Sequence, residues 1–135
     1  SYSPFRTANR DTEVVTAANV KQDLTLLAAG GFKLIRLFDS SDSMAKVVLQ
    51  VIKDNNLDIK VMLGSWIASG NDTFNQADIQ RTIALANTYS DIVLAVSVGN
   101  ETMVSWSFNP VSPATMAGYI KTVRNAIRQP VTLQA

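Results

Sequence analysis

The chain has 135 residues, of which 47% are hydrophobic, and its 12 basic and 11 acidic side chains give a formal net charge of +1. This length is ordinary for one domain with a sizeable core, and the balanced charge argues against nucleic acid or an anionic membrane as a partner. Cysteine and histidine are both absent, which excludes disulfides, thiol catalysis, imidazole bases and the common zinc sites. Acid–base chemistry must therefore come from carboxylates, tyrosine or lysine.

Apolar runs and helix-like segments alternate along the chain. Residues 1–5 are predicted to be a weak first strand or its trailing end, and Thr16 is predicted to cap a helix that ends at Gly30 and Gly31. Further strands are predicted at residues 32–38, at 57–63 and from residue 92 to about residue 98. Each is followed by a helix, predicted at residues 43–55, 76–88 and 112–129. A fifth strand begins at Val131. The repeat of roughly thirty residues is the size of a βαβ step.

Two α/β architectures fit four strand–helix units and the start of a fifth strand. One is a five-stranded doubly wound sheet, and the other is the first half of a (β/α)8 TIM barrel, which usually has about 250 residues. No glycine-rich phosphate loop follows the first strand, so a nucleotide-binding version of the open sheet has no support.

The strand that begins at residue 92 is a continuous apolar run that ends in Gly99, Asn100 and Glu101. Such a run is typical of a parallel strand covered on both faces by helices, and parallel α/β folds have their active sites at the carboxyl ends of strands. Glu101 there could act as a general acid while Asn100 fixes a substrate hydroxyl. A helix N-terminus, where Asn and Glu act as capping residues, explains the pair equally well.

Three segments carry a family resemblance: residues 35–39 (IRLFD), 59–64 (IKVMLG) and 96–101 (VSVGNE). In this order and spacing the chain resembles the N-terminal half of the family 17 glycoside hydrolases, which are β-1,3-glucanases and, in bacteria, glucanosyltransferases. The resemblance covers nearly the whole chain. It implies a (β/α)8 barrel, a retaining mechanism, and Glu101 as the acid/base. The implied location is extracellular, periplasmic or in the cell envelope.

The sequence departs from this family in two ways. Phe38 occupies a site position where the family often has tyrosine, so a hydroxyl is missing there. The nucleophilic glutamate of the family lies on a later strand, beyond Ala135. The chain is therefore expected to contain half of the catalytic pair and to be inactive by itself.

Further substrate-binding candidates follow from their places at strand ends. Tyr2 and Trp66 could stack on a pyranose ring, although aromatic residues at such positions at least as often pack over the end of the hydrophobic core. Trp106 and Phe108 could form an outer sugar platform, and local packing of their loop is an equal alternative. Arg36 and Asp39 could pair with each other or orient the catalytic carboxylate. A buried ion pair with a structural role in the barrel interior accounts for Arg36 nearly as well. No metal and no cofactor are expected.

We therefore predict that residues 1–135 are the N-terminal half of a β-glucan-active barrel domain. Its expected partners are a β-glucan and either the missing C-terminal half-barrel or a second copy of the chain, because a half-barrel leaves strand edges and interior side chains uncovered. The alternative is a module without catalytic activity, either a half-barrel or a flavodoxin-like sheet, that self-associates or only binds sugar.

Overall fold

The computed structural model describes residues 1–134. Helices and strands alternate along the chain, each helix connecting to the next strand. The helices are α1 (Ala17–Ala29), α2 (Ala45–Asp54), α3 (Asp72–Thr88) and α4 (Pro113–Ala126). The strands are β1 (Leu34–Arg36), β2 (Lys60–Ser65), β3 (Val93–Asn100) and β4 (Val131–Gln134). Within residues 1–134, no helix is both long and apolar enough to cross a membrane.

Side-chain caps determine where three of the helices begin. The Thr16 side chain accepts a hydrogen bond from the Asn19 amide at the start of α1, and Ser112 accepts one from Thr115 before Pro113 at the start of α4. Helix α3 begins at residue 72 and not at about 76 as expected, because the Asn71 side chain caps it by accepting a hydrogen bond from the backbone amide three residues later. The predicted N-terminus of α3 was therefore wrong by one helical turn.

The strands form one parallel sheet in the order β1-β2-β3-β4. This order lacks the reversal that defines a doubly wound sheet. Residues 1–5 do not form the predicted first strand, so the described residues contain four strands and not five. The Tyr2 amide nevertheless donates a hydrogen bond to the Arg36 carbonyl at 3.0 Å, which places the N-terminal segment beside β1.

The two faces of the sheet differ in burial. The chain adds each strand on the same side of the previous one, through right-handed crossover connections. Such connections place the connecting helices on the same face of the sheet, so all four helices cover one face. The apolar side chains on that face are almost fully buried: Ile35, Val61, Leu63, Val96 and Val98. On the other face Leu34 is 52% exposed, and Met62 and Ala95, which pair with each other across β2 and β3, are half-buried. The core therefore lies between the helices and one side of the sheet. No helix among residues 1–134 covers the second side, so the expectation of a strand covered by helices on both faces was wrong.

Gly64 brings the ends of β1 and β2 together. A Cβ atom at this position would lie 2.5 Å from the Leu37 carbonyl oxygen and 2.5 Å from the Phe38 carbonyl carbon. Real Cβ atoms do not approach backbone atoms so closely, so only glycine allows this contact. The segments that follow these two strands consequently share one edge of the sheet.

Candidate functional site

At the carboxyl edge of the sheet, Arg36 and Asn100 meet across the intervening strand β2. Arg36 is the last residue of β1, and its Nη2 donates a hydrogen bond of 2.6 Å to Asn100 Oδ1 at the end of β3. The guanidinium also lies over the Phe38 ring, 4.6 Å from its centroid, a cation–π arrangement that fixes its plane. Because the oxygen of the Asn100 amide accepts from Arg36, its NH2 group is left to donate to a ligand.

The backbone at the end of β3 departs from regular strand geometry. Gly99 has a φ of 78° and Glu101 a φ of 53°, and the pairing register with β4 shifts between Val98 and Asn100. The Glu101 amide donates to the Gln134 carbonyl at 3.0 Å, so β4 holds the turned backbone. A positive φ is costly for a non-glycine residue, and such strain is concentrated at functional sites. Glu101 is half-buried, a setting in which a carboxyl group can still reach a ligand.

Of the two roles expected for Arg36 and Asp39, the pairing with each other is wrong. Asp39 Oδ1 instead accepts hydrogen bonds from the backbone amide and the hydroxyl of Ser41, at 3.0 and 2.8 Å. No ion pair joins Arg36 to a carboxylate within the described part of the chain. Asp39 therefore shapes the turn after β1, and Arg36 acts on the Asn100 amide.

The aromatic candidates lie in three different settings. Tyr2 is 8% exposed and belongs to the core, and its hydroxyl donates to Asp23 on α1 at 2.8 Å. Its hydroxyl therefore points to a helix and not to Asn100. Trp66 is half-buried directly after β2, and Trp106 is 70% exposed in the loop that follows Glu101. The structure thus gives Tyr2 the role of a core residue and leaves Trp66 and Trp106 beside the carboxyl edge.

Asp78 on α3 supports the site and was not predicted. It is 1% exposed, and its Oδ2 accepts from the Trp66 amide at 2.7 Å while its Oδ1 binds Arg81 at 2.9 Å. Burial raises the pKa of Asp78 above its usual range, although the Trp66 amide and the Arg81 guanidinium act in the opposite direction. The carboxylate fixes the backbone where β2 ends. Asn75 and Thr82 are buried on the same face of α3, and the spacing of these three polar residues is the signal that could have revealed them.

A glutamate with a positive φ, an oriented amide and a guanidinium therefore lie at the carboxyl edge of a parallel α/β sheet, which is where such folds have their active sites. A family model described as the BtgE/BtgC glycoside hydrolase domain matches residues 1–134. The chain belongs to this glycoside hydrolase family.

Comparison with solved structures supports the same class. The chain is similar to the crystal structure of an endo-laminarinase from Formosa Hel1_33_131, with a TM-score of 0.83 and 26% sequence identity. The match covers 92% of this chain and 36% of that chain, so the sequence spans little more than a third of the laminarinase. A search of curated proteins found no match.

Proposed function

We propose that the chain contributes the acid/base half of a retaining β-glucan hydrolase or transglycosylase of the β-1,3-glucan type, with Glu101 as the general acid/base. The observation that carries this proposal is the turned backbone at the end of β3, where Gly99 and Glu101 both have positive φ and Arg36 orients the neighbouring Asn100 amide. The similarity to an endo-laminarinase supports a β-glucan as the substrate.

The proposed reaction has two steps. In the first, the Glu101 carboxyl group protonates the leaving glycosidic oxygen while a second carboxylate attacks the anomeric carbon and forms a covalent glycosyl-enzyme. In the second, the Glu101 carboxylate removes a proton from water, or from an acceptor sugar hydroxyl, whose oxygen then displaces the enzyme carboxylate. Water gives hydrolysis and a sugar gives transfer. Asn100 would donate a hydrogen bond to the sugar 2-hydroxyl, a contact that strengthens in the transition state.

The second carboxylate is proposed to come from outside these residues. The chain has two glutamates, Glu13 and Glu101, and Glu13 is engaged with the backbone amides of Arg6 and Thr7 in the loop before α1. Asp39 follows the end of β1, but its shorter side chain is bound by Ser41 in that turn, and Glu13 is remote from any strand end. The isolated chain would therefore bind a glucan without cleaving it.

We further propose that residues 1–135 form the first half of a (β/α)8 barrel. The strictly sequential strand order, and a sheet face that no helix among residues 1–134 covers, support this architecture. On that face Arg36 Nε and Ser97 Oγ are buried without a hydrogen-bond partner among residues 1–134. The remaining half of a barrel would cover this face, and in an isolated chain a second copy would do so.

The alternative is a module that binds sugar without catalysis. The same surface features favour both functions, since an oriented amide and exposed aromatic side chains bind sugars with or without a nucleophile. Within this alternative, the sequential strand order supports a half-barrel over a flavodoxin-like sheet.

The substitution Glu101→Gln in the full-length protein separates the two functions. The amide keeps the size of the side chain but cannot donate a proton to the leaving oxygen, and general acid help is worth roughly 10²–10⁴-fold in rate. Release of new reducing ends from β-1,3-gluco-oligosaccharides should fall by that factor, while the melting temperature stays unchanged. Glu13→Gln is the matched control and should retain full activity. A Glu101→Gln variant with normal turnover would refute the assignment.

A further inference from the structure

The loop of residues 102–111, which starts directly after Glu101, is closed on itself. The Val111 amide donates to the Thr102 carbonyl at 2.8 Å, and the Ser107 amide donates to the Val104 carbonyl at 3.1 Å. The two ends of the loop are therefore in contact and a turn forms within it, as in a compact Ω-loop. Such loops have a defined shape and frequently carry function.

Asn109 fastens this loop to the segment after β2. The side chain is 8% exposed, its Oδ1 accepts from the Ser69 amide at 2.6 Å, and its Nδ2 donates to the Ile67 carbonyl at 2.6 Å. The Ser69 hydroxyl adds a hydrogen bond to the Pro110 carbonyl at 2.7 Å. One buried amide thus satisfies a backbone donor and a backbone acceptor of a different loop, which fixes the two loops relative to each other.

The fastened loop presents aromatic side chains to solvent. Trp106 is 70% exposed and Phe108 is 89% exposed. Water-exposed aromatic side chains on a fixed backbone mark an interaction surface, because little conformational entropy is lost when a ligand stacks on them. Residues 102–111 contain no Asp, Glu, Lys or Arg. This surface is suited to an uncharged partner and has no charge with which to select an ionic one.

We infer that Trp106 and Phe108 form a stacking platform for glucosyl units a few sugar units away from the glycosidic bond whose oxygen Glu101 protonates, and that Asn109 is the positioning residue that holds the platform. A β-glucan offers uncharged sugar rings with apolar faces, and Trp106 lies five residues beyond Glu101, within about 18 Å along the chain. This inference rests on the proposed function for the identity of the ligand. Its consequence is selectivity for longer oligosaccharides.

The first test measures binding and does not depend on turnover. In the full-length protein carrying Glu101→Gln, titration calorimetry compares a β-1,3-linked disaccharide with a hexasaccharide. Trp106→Ala and Phe108→Ala should each weaken hexasaccharide binding about tenfold, a typical effect for one aromatic contact, and leave disaccharide binding unchanged. Phe32→Ala removes an aromatic side chain that is 57% exposed between α1 and β1, and this control should change neither affinity.

The second test asks whether Asn109 acts through the platform. Asn109→Asp keeps the acceptor for Ser69 but removes the donor to Ile67, and Ser69→Ala is the milder variant that removes only the bond to Pro110. Both should weaken hexasaccharide binding, and neither should weaken it further when Trp106 and Phe108 are already alanine. If Asn109→Asp lowers the melting temperature sharply, Ser69→Ala decides the question.

Two results would overturn the inference: unchanged hexasaccharide affinity in Trp106→Ala and Phe108→Ala, or an equal loss for the disaccharide and the hexasaccharide. An Asn109→Asp or Ser69→Ala effect that persists without both aromatic side chains would refute the positioning role. Failure of the proposed function is distinguishable, because it would appear as normal turnover in Glu101→Gln, whatever the chain-length dependence.

Discussion

Gly99 has two properties that exclude a side chain, and Gly99→Ala tests both. Its φ of 78° lies in the left-handed region, where an L-residue costs about 1–2 kcal/mol. A Cβ there would also lie 2.8 Å from Met116 Cε and 3.1 Å from Thr102 Oγ1. Met116 is 1% exposed and Thr102 is fully buried, so relief of the contact requires movement in the core, at a further cost of about 1–3 kcal/mol. We expect a total loss of about 2–5 kcal/mol.

Gly31→Ala is the matched control for this prediction. Gly31 has a φ of 84°, and a Cβ there would meet nothing within 4 Å, so only the conformational cost of about 1–2 kcal/mol applies. Urea denaturation of the two variants and the unsubstituted protein gives the difference directly. Equal losses of unfolding free energy for the two variants would refute the steric part of the reasoning.

The same substitution should also affect catalysis. Gly99 precedes Asn100 and Glu101, and a shift of the backbone at the end of β3 would displace both side chains. Small displacements of catalytic groups reduce rates strongly. In the full-length protein, Gly99→Ala should lower kcat on β-1,3-gluco-oligosaccharides well below that of Gly31→Ala at a temperature where both are folded. Equal kcat values would show that the turned backbone does not position the acid/base.

Two further predictions concern charge. Arg36→Lys keeps the charge but loses the planar guanidinium that binds Asn100. Hydrogen bonds to charged groups contribute about 1.5–3 kcal/mol, so kcat/KM should fall tenfold or more, whereas the control Arg124→Lys, at an exposed position on α4, should have no effect. An unchanged kcat/KM in Arg36→Lys would exclude a role for the bond to Asn100. Burial raises the pKa of three tyrosines above 10.0, with help from nearby carboxylates: Tyr2, Tyr89 and Tyr119. Each tyrosine binds its proton more tightly in the folded state, so this stabilisation is present below pH 10 and is lost as pH rises above it. Urea midpoints should therefore fall as pH rises above about 10, and they should fall less steeply in Tyr2→Phe. A slope unchanged by Tyr2→Phe would exclude that phenol as a contributor.

The sequence predicted those parts of the fold that depend on local signals. Apolar runs located β2 and β3, and the caps Thr16 and Ser112 located the starts of α1 and α4, because a capping side chain bonds within its own first turn. The start of α3 was missed because Asn71 lies among other residues that are equally good caps, such as Ser69, Asp72 and Thr73. Residues 1–5 have no strong strand signal, and one backbone hydrogen bond to β1 does not make a strand.

The candidate site was predicted in position but not in its contacts. Parallel topology alone places Asn100 and Glu101 at the carboxyl edge, so the pattern of β3 was sufficient for that step. The partner of Arg36 depends on how far β1 and β3 are offset across β2, and this register is set by tertiary packing. Asp78 is invisible to a search for apolar periodicity, because it lies on the buried face of α3 as a charged residue.

The sequential strand order has a consequence for how the chain folds. Every strand pairs with its nearest neighbours in sequence, so each closure joins segments only about thirty residues apart, and the entropy lost is similar at every step. Each strand–helix unit can therefore dock on the edge left by the previous one as the polypeptide emerges from the ribosome. We expect hydrogen exchange during refolding to protect the β2–β3 pair early, because both of its strands have a neighbour on each side, and β4 afterwards. A molecule built in this way can be lengthened by further units without rearranging those already in place.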